Sequence, residues 1–150
     1  MRFVIQRAES AQVDIDGVTV GKIGRGFAVL IGICDTDTED TADKMISKML
    51  RLRIFADADG KTNLDIASVN GGLLLVSQFT LYADCRKGNR PSFIRSGSPQ
   101  HADELYELII QKCAAYIPDV QHGEFGADMK VSLVNDGPFT IVLDSDELGY

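Results

Sequence analysis

The chain has 150 residues, which fits a single domain over residues 1–150 that can bury a core without disulfides or metal ions. Hydrophobic residues make up 45% and charged residues 25%, and no apolar run approaches the roughly 18 residues of a membrane-spanning helix. The net charge of −7 argues against binding along a long stretch of nucleic-acid backbone, because proteins that bind nucleic acid in this way usually present a basic face.

The N-terminus and the cysteines indicate in which cellular compartment the protein is expected. MRFVIQRAES alternates apolar and polar residues and lacks the continuous apolar core of a signal peptide, so we expect a soluble cytoplasmic protein without membrane attachment. The three cysteines, Cys34, Cys85 and Cys113, have no paired spacing, which argues against a disulfide framework and a zinc knuckle. We expect all three to be small buried residues.

The first third of the chain is predicted to form strands. Alternating apolar residues predict strands at residues 3–6 and 12–15, followed by a turn at Asp16 and Gly17 and then further strand. GFAVLIGI, residues 26–33, is almost wholly apolar and predicts a strand that is buried on both faces.

Two main helices are predicted between further strands. The first covers residues 39–51, because apolar residues recur there at helical spacing: Ala42, Met45, Ile46, Met49 and Leu50. The second starts at the signal Ser98-Pro99 and continues through Cys113. A strand is predicted at residues 72–81, and strands resume from about Val120 to the end. Many strands with two helices outside βαβ alternation predict an α+β fold, a compact barrel-like domain of antiparallel and mixed strands.

SLVNDGPFTIVL, residues 132–143, alternates like a strand but carries Asn-Asp-Gly-Pro in its middle. Proline cannot donate to a ladder and Asn-Asp-Gly is typical of turns, which excludes an uninterrupted central strand. From these residues alone we predict a hairpin loop between strands at residues 131–134 and 140–143.

The usual catalytic motifs are missing from the sequence. The two histidines, His101 and His122, lack metal-ligand spacing, and no GxSxG, GxxxxGK[ST] or GxGxxG motif occurs, so we expect neither a metal nor a cofactor. A Ser-His-Asp triad that uses His122 is an alternative. A hydrolase without such motifs would have to stabilise an oxyanion with backbone N–H groups, which directs attention to strand ends and their loops.

SQFTLYADCRKGNRPSF, residues 77–93, is such a place, because an apolar strand runs there into polar side chains and a basic loop. Ser77 and Thr80 could be a nucleophile or orienting hydroxyls, or ordinary polar residues of a strand. Phe79 could stack on a base, or lie in the core. Four cations in and just after this segment indicate either a solvated loop or a contact with a few phosphates at one end of a nucleic acid: Arg86, Lys87, Arg90 and Arg95.

Four segments carry a family likeness: IQR at residues 5–7, SQFTL at 77–81, GNRPSF at 88–93 and FGADMKVSLVNDGP at 125–138. Through these segments the chain resembles the D-aminoacyl-tRNA deacylases over essentially its whole length. This resemblance implies a β-barrel-like α+β homodimer with two active sites at the dimer interface. The implied reaction is hydrolysis of the ester that joins a D-amino acid, or glycine mischarged on tRNA(Ala), to the 3′-terminal adenosine of tRNA. The implied partner is therefore the 3′ end of an aminoacyl-tRNA.

The resemblance also implies roles for single residues. In such enzymes the Gly137–Pro138 peptide would be cis and would enter the pocket of the other subunit, where its carbonyls exclude an L side chain, and Arg7 would hold it in place. Ser77, Gln78, Phe79 and Thr80 match the catalytic segment. Phe125 and Met129 match substrate-binding positions, and the four cations of the basic loop would bind the tRNA.

The resemblance leaves two alternative functions open, and one residue of this sequence departs from the family pattern. A related branch with a trans Gly-Pro removes L-alanine and lacks the arginine found here at position 7, and a noncatalytic dimer that binds RNA ends could keep the same fold. Phe139 stands where valine usually follows the proline of the motif. This difference could change the packing beneath the motif or the contact between subunits.

Overall fold

A six-stranded mixed sheet curls into a nearly closed barrel in the computed structural model, which describes residues 1–150. A two-stranded sheet and three helices complete the chain. In chain order the elements are β1 (Arg2–Ile15), β2 (Val18–Ile23), β3 (Gly26–Gly32), α1 (Glu39–Leu50), β4 (Phe55–Ala56), β5 (Thr62–Leu64), β6 (Gly72–Ser77), a 3₁₀ turn (Phe79–Tyr82), α2 (Pro99–Ala114), β7 (Val120–His122), β8 (Met129–Asp144) and α3 (Ser145–Leu148). The predicted α+β, barrel-like fold is confirmed.

Strand β1 links the parts of the sheet because it has partners on both edges. It pairs with β8 along its whole length on one edge, and with β3 and then β2 on the other. The strands predicted at residues 3–6 and 12–15 are therefore parts of one strand. The ladder satisfies the backbone of the polar residues between them, so the strand continues where the apolar alternation stops.

Strand β8 overturns the predicted hairpin. Residues on both sides of the Asn-Asp-Gly-Pro segment pair with the same strand, β1, so the chain does not reverse its direction there. Thr140 pairs with Gln6 and Asn135 pairs with Ala8, which leaves residues 136–139 opposite the single residue Arg7. These four residues form an insertion in one long strand, which we call the Gly-Pro insertion.

Helices α1 and α2 pack against the sheet to form the main core of 24 buried residues, and a smaller cluster of seven lies apart from it. Strand β3 contributes to both clusters, and the prediction that it is buried on both faces is confirmed. Helix α1 begins at Glu39 as predicted and ends at Leu50, one residue before the predicted end, and Thr38 caps it in a reciprocal bond with Thr41. Helix α2 begins at Pro99 as predicted, although the side chain of Ser98 makes no cap bond.

The cysteines differ from the expectation of uniform burial. All three are free, and Cys113 is buried, which raises the pKa of its thiol to about 12. Cys34 is half-buried, but Cys85 is exposed, because it lies in the basic loop instead of a strand or helix. None of the helices combines the length and the apolarity that crossing a membrane requires.

Candidate active site

The predicted strand at residues 72–81 ends early. Strand β6 stops at Ser77, and the chain turns into the 3₁₀ turn Phe79–Tyr82. The N–H of Gln78 donates to Ile31 O at 2.7 Å, which is the last bond to β3. The turn then packs over Gly32, where an added Cβ would lie 2.9 Å from the Cβ of Leu81. Close packing against a glycine therefore favours the turn over a longer strand, although the apolar alternation does not reveal it.

Three contacts fix this turn within the subunit. Ser96 Oγ donates to Phe79 O at 3.1 Å, and Arg2 Nη1 donates to Leu81 O at 2.9 Å. Arg2 is itself held by Asp144 at 2.6 Å, and its guanidinium lies 4.7 Å from the centre of the Tyr82 ring. The sequence analysis did not identify Arg2 or Ser96, because both are distant in sequence from the turn that they hold.

A pocket of about 700 Å³ opens beside the end of β6. Five of the predicted site residues line it: Ser77, Gln78, Phe79, Phe125 and Met129. Thr80 does not line the pocket, and its Oγ1 accepts a hydrogen bond from Gln78 Nε2 at 2.5 Å. The pocket wall is mostly apolar, with Phe93 and Ile94 contributed by the segment that follows the basic loop.

Two aromatic contacts shape the pocket. Phe79 is 57% exposed and packs edge-on against Phe93 with 5.1 Å between the ring centres, so it is not a core residue. Phe125 also lines the pocket and packs against Tyr106, with 6.2 Å between the ring centres. Tyr106 is buried, and its hydroxyl donates to Leu75 O at 2.9 Å. Burial raises the pKa of Tyr106, so this phenol stays neutral and acts as a structural support for Phe125.

The basic loop lies next to the pocket, and its cations differ in whether they are paired with a carboxylate. Arg86 makes two hydrogen bonds to the carboxylate of Asp84, at 2.9 and 2.6 Å, and these bonds hold the pKa of Asp84 well below its usual range. Lys87, Arg90 and Arg95 are exposed and form no salt bridge. Three of the four cations are therefore free to meet a negatively charged ligand at the pocket mouth.

The Gly-Pro insertion lies outside this pocket and projects from β8. The Gly137–Pro138 peptide is cis, and both residues are exposed. Gly137 has a φ of 133°, a conformation that side chains rarely adopt, and an added Cβ would lie 3.2 Å from Arg7 Nη2. Neither Gly137, Pro138 nor Arg7 lines the pocket of its own subunit.

Arg7 anchors the base of the insertion. Its Nε donates to Asp136 O at 3.0 Å and lies 3.1 Å from the carboxylate of the same residue, and its Nη1 donates to Ile54 O at 2.5 Å. The guanidinium lies 4.6 Å from the centre of the Phe139 ring, within the range of a cation–π contact. Asn135 accepts a hydrogen bond from the N–H of Phe139 at 2.7 Å. Phe139 therefore supports Arg7 beneath the insertion, a role that the sequence analysis had left open.

The structure does not form a catalytic triad around His122. Its Nδ1 donates to Gly123 O at 2.9 Å, and it lines a separate groove with Asp103, Glu107 and Glu124 but no serine or cysteine. No cluster of three histidine, cysteine or acidic side chains is arranged to hold a metal ion. The groups available for chemistry at the pocket are therefore backbone groups, hydroxyls, amides and the carboxylate of Asp128.

The chain is similar to known proteins over nearly its whole length. Residues 4–144 match a family model described as D-Tyr-tRNA(Tyr) deacylase. A D-aminoacyl-tRNA deacylase of Clostridium tetani is 50% identical over 148 residues, 99% of each chain, and one of Lactobacillus acidophilus is 55% identical over 144 residues, 96% of this chain and 99% of the relative. A solved structure of a c-Myc DNA Unwinding Element Binding Protein is similar with a TM-score of 0.91 and 36% identity, over 96% of this chain and 98% of that chain.

Proposed function

Because the chain belongs to the D-Tyr-tRNA(Tyr) deacylase family, we propose that it is a hydrolase that splits the ester bond of D-aminoacyl-tRNA into free D-amino acid and tRNA. The observation that carries the proposal is the pocket at the end of β6, which Ser77, Gln78 and Phe79 line together with Phe125 and Met129. Glycine mischarged on tRNA(Ala) belongs to the same proposal, because a glycyl ester has no side chain to exclude. We also propose that the enzyme acts in the cytoplasm, where aminoacyl-tRNA is made and used.

Catalysis is assigned to backbone N–H groups at the start of the 3₁₀ turn. The N–H groups of Phe79 and Thr80 have no partner within the turn, because the bonds of such a turn reach only three residues back. N–H groups held in place by the fold can stabilise the oxyanion that forms when water attacks the ester carbonyl. The ribose oxygen then leaves, and the neighbouring ribose hydroxyl of the substrate can assist the proton transfer. The three contacts that fix the turn support this assignment, since oxyanion donors must not move.

The selectivity for D-amino acids is assigned to the Gly-Pro insertion of a second subunit. Gly137 and Pro138 are exposed in the single chain and do not line their own pocket, which suits a part of the site that completes a neighbour's pocket. Their carbonyls would occupy the space that an L side chain needs, whereas hydrogen or a D side chain would fit. The presence of Arg7, which holds the insertion here, argues against the alternative of L-alanyl-tRNA editing, because the branch that removes L-alanine lacks this arginine.

The arrangement of β8 supports a homodimer. Its outer edge is unpaired, and three valines along it are exposed: Val131, Val134 and Val142. Val131 lines the pocket, and Gly137 follows six residues later on the same strand, at most about 20 Å away at 3.3 Å per residue. A twofold axis near Val134 would therefore place each Gly-Pro insertion beside the other subunit's pocket, as the self-complementary interface of a dimer requires.

The basic loop is proposed to bind the phosphates at the 3′ end of the tRNA. Lys87, Arg90 and Arg95 are free of salt bridges, and Arg95 directly follows the pocket residue Ile94. An RNA strand whose terminal adenosine lies in the pocket would pass this loop. Three free cations suit a contact with the single-stranded end, whereas a wide tRNA footprint would need further basic surface.

Deacylation of D-Tyr-tRNA, L-Tyr-tRNA and L-Ala-tRNA tests the function. We expect release of D-tyrosine only. Release of alanine from L-Ala-tRNA instead would support the editing alternative, and binding of tRNA without release of any amino acid would support the noncatalytic dimer.

A mixing experiment tests the shared site. Met129→Trp fills the pocket, and removal of Gly137 and Pro138 removes the insertion, so each variant alone should be inactive. Co-expression gives heterodimers in which an open pocket faces an intact insertion, and we expect about a quarter of the wild-type activity from random pairing. No recovery, with heterodimers demonstrated by mass spectrometry, would show that pocket and insertion act within one chain.

A further inference from the structure

A second basic surface lies at the C-terminal end of α1, away from the basic loop. A groove of about 580 Å³ is lined there by four cations: Lys44, Lys48, Arg51 and Arg53. The chain has 15 lysines and arginines against 22 acidic residues, so a groove with four cations departs from the acidic character of the molecule. We call this surface the α1 groove.

Most of the positive charge in the α1 groove is not neutralised by neighbouring carboxylates. Lys44 pairs with Asp40 at 2.7 Å, but Lys48, Arg51 and Arg53 form no salt bridge and are exposed. The acidic side chain on the groove wall, Asp43, is already paired with Lys112 at 2.5 Å. Three of the four cations are therefore available to an anionic ligand.

The helix dipole explains only part of this cluster. Cations are favourable near the C-terminus of a helix, which accounts for Lys48 and Arg51. It does not account for Arg53, which follows the helix and whose Nε donates to Asn63 O at 2.8 Å. Lys44 and Lys48 lie on one face of α1, and Arg51, which caps the helix, follows them at the same spacing. The three cations extend over about 10 Å, a length that suits a row of phosphates.

The α1 groove is linked to the Gly-Pro insertion through Arg7. Arg53 precedes Ile54, whose carbonyl accepts a hydrogen bond from Arg7, and the same guanidinium donates to Asp136 O in the insertion. When the Gly-Pro insertion enters the partner's pocket, the α1 groove of the same subunit would therefore come close to the RNA held in that pocket. The basic loop, in contrast, lies beside the pocket of its own subunit.

We propose that the α1 groove of one subunit binds backbone phosphates of the acceptor stem of the tRNA whose 3′ end lies in the partner's pocket. This inference rests on the proposed function and on its shared site. One tRNA would then be bound by two subunits. The basic loop of one subunit would contact its single-stranded end, and the α1 groove of the other would contact its duplex. Double-stranded RNA is bound mainly through its shape and phosphates, which exposed lysines and arginines can contact without reading the sequence.

Lys48→Glu tests the groove, with Lys22→Glu as the matched control. Both lysines are exposed and lack salt bridges, and each change lowers the net charge by two, but Lys22 lies on β2 and does not line the groove. Binding of uncharged tRNA is measured by fluorescence anisotropy at several salt concentrations. We expect Lys48→Glu to raise the Kd about tenfold at low salt and to reduce the salt slope by about 0.9, the value for one duplex phosphate.

Deacylation of two substrates provides a second measurement. D-Tyr-tRNA has an acceptor stem and 3′-D-tyrosyl-adenosine has none, so the loss caused by Lys48→Glu should be about tenfold larger on the tRNA than on the adenosine ester. Equal weakening of tRNA binding by Lys48→Glu and Lys22→Glu would overturn the inference, because only overall charge would then matter. A wild-type protein that binds tRNA with the expected groove dependence but releases no amino acid would overturn the proposed function and leave the groove in place.

Discussion

The 3₁₀ turn and the Gly-Pro insertion are anchored in different ways. The turn is held at Phe79 O and Leu81 O by side chains of the same subunit, and it lines a pocket of that subunit. The insertion is held at its base by Arg7 and Asn135, and Gly137 and Pro138 at its tip are exposed. The turn is thus complete within one chain, whereas the insertion has a rigid base and a free tip.

This difference fits the different tasks that we propose for the two segments. Oxyanion donors need a fixed position at the reacting carbonyl, which the anchored turn can provide. A group that excludes the wrong enantiomer needs a rigid shape and access to the substrate of a neighbour, which a projecting insertion can provide. Substitutions in the turn and in the insertion should therefore change different properties of the enzyme, and they can be ranked by the size of the expected effect.

Gly137→Ala should have the largest effect. An alanine at a φ of 133° is strained, and its Cβ would lie within 3.4 Å of Arg7 Nη2 and of Phe139 N, so the tip of the insertion must move. Misplacement of a positioning element by about 1 Å can lower a rate about 100-fold, and we expect a loss of that size in D-Tyr-tRNA deacylation.

The control for Gly137→Ala is Gly60→Ala. Gly60 has a φ of 76°, and nothing lies within 4 Å of an added Cβ, so this change brings backbone strain without a clash or a contact with the insertion. Its activity should stay close to that of the wild type. A Gly137→Ala enzyme as active as the Gly60→Ala enzyme would mean that the tip does not take part in the site.

Arg7→Ala should have the second largest effect, and it should change selectivity. The substitution removes the bonds to Asp136 O and Ile54 O and the contact with the Phe139 ring, so the insertion loses its rigid base. We expect D-Tyr-tRNA deacylation to fall about tenfold or more, as the loss of hydrogen bonds from a charged group implies, and L-Tyr-tRNA deacylation to become measurable.

Arg7→Lys and light scattering complete this experiment. A lysine keeps the charge but cannot make both carbonyl contacts with a planar fork, so it should recover only part of the discrimination. Light scattering checks that the variants keep the assembly of the wild type. If folded Arg7→Ala rejects L-Tyr-tRNA as completely as the wild type, Arg7 does not support the exclusion of L-amino acids.

The sequence predicted the helices, the buried strand β3 and the pocket segment better than it predicted the insertion. Helical periodicity and an apolar run are local signals, and α1, α2 and β3 follow them. The hairpin prediction was wrong because Asn-Asp-Gly-Pro indicates an interruption but not whether the chain reverses. That outcome depends on β1, which pairs with both flanks and lies more than 120 residues earlier in the sequence.

The contacts that support the site could not be derived from local patterns. Arg2 reaches Leu81 and Asp144, and Arg7 reaches Ile54 and Asp136, so both arginines join segments that meet only in the fold. The strand predicted through Leu81 ended at Ser77 for a similar reason, since the turn packs on Gly32 of another strand. The family resemblance identified Arg7, but neither it nor the residue pattern identified Arg2.

Arg90→Gln should weaken tRNA binding moderately, by an amount that depends on the salt concentration. Arg90 is exposed and forms no salt bridge, so a phosphate of the single-stranded end can be its partner. Loss of one such contact should reduce the slope of log affinity against log salt by about 0.7, and with three free cations the loop accounts for a slope of about −2. The measurement is tRNA binding at several salt concentrations.

Arg86→Gln is the matched control for Arg90→Gln. Its guanidinium is already paired with Asp84, so less of its charge is available to the RNA, and the slope should change by less than it does in Arg90→Gln. Equal changes in the two variants would show that the pairing with Asp84 opens when RNA binds. No change in either variant would show that the basic loop does not touch phosphate.

Thr80→Ala should have the smallest effect and tests the assignment of catalysis to the backbone. The hydroxyl of Thr80 accepts a hydrogen bond from Gln78 Nε2 and does not line the pocket, while the N–H of residue 80 is kept when the side chain is shortened. We expect the single-turnover rate on D-Tyr-tRNA to fall by less than about threefold, because the oxyanion donors stay in place. A nucleophilic threonine would instead be needed for every turnover, and its removal should lower the rate by about 10⁴-fold. Circular dichroism and light scattering establish that the variant is folded and assembled, so a loss of that size would assign the nucleophile to Thr80 and give the turn a covalent role in place of an electrostatic one.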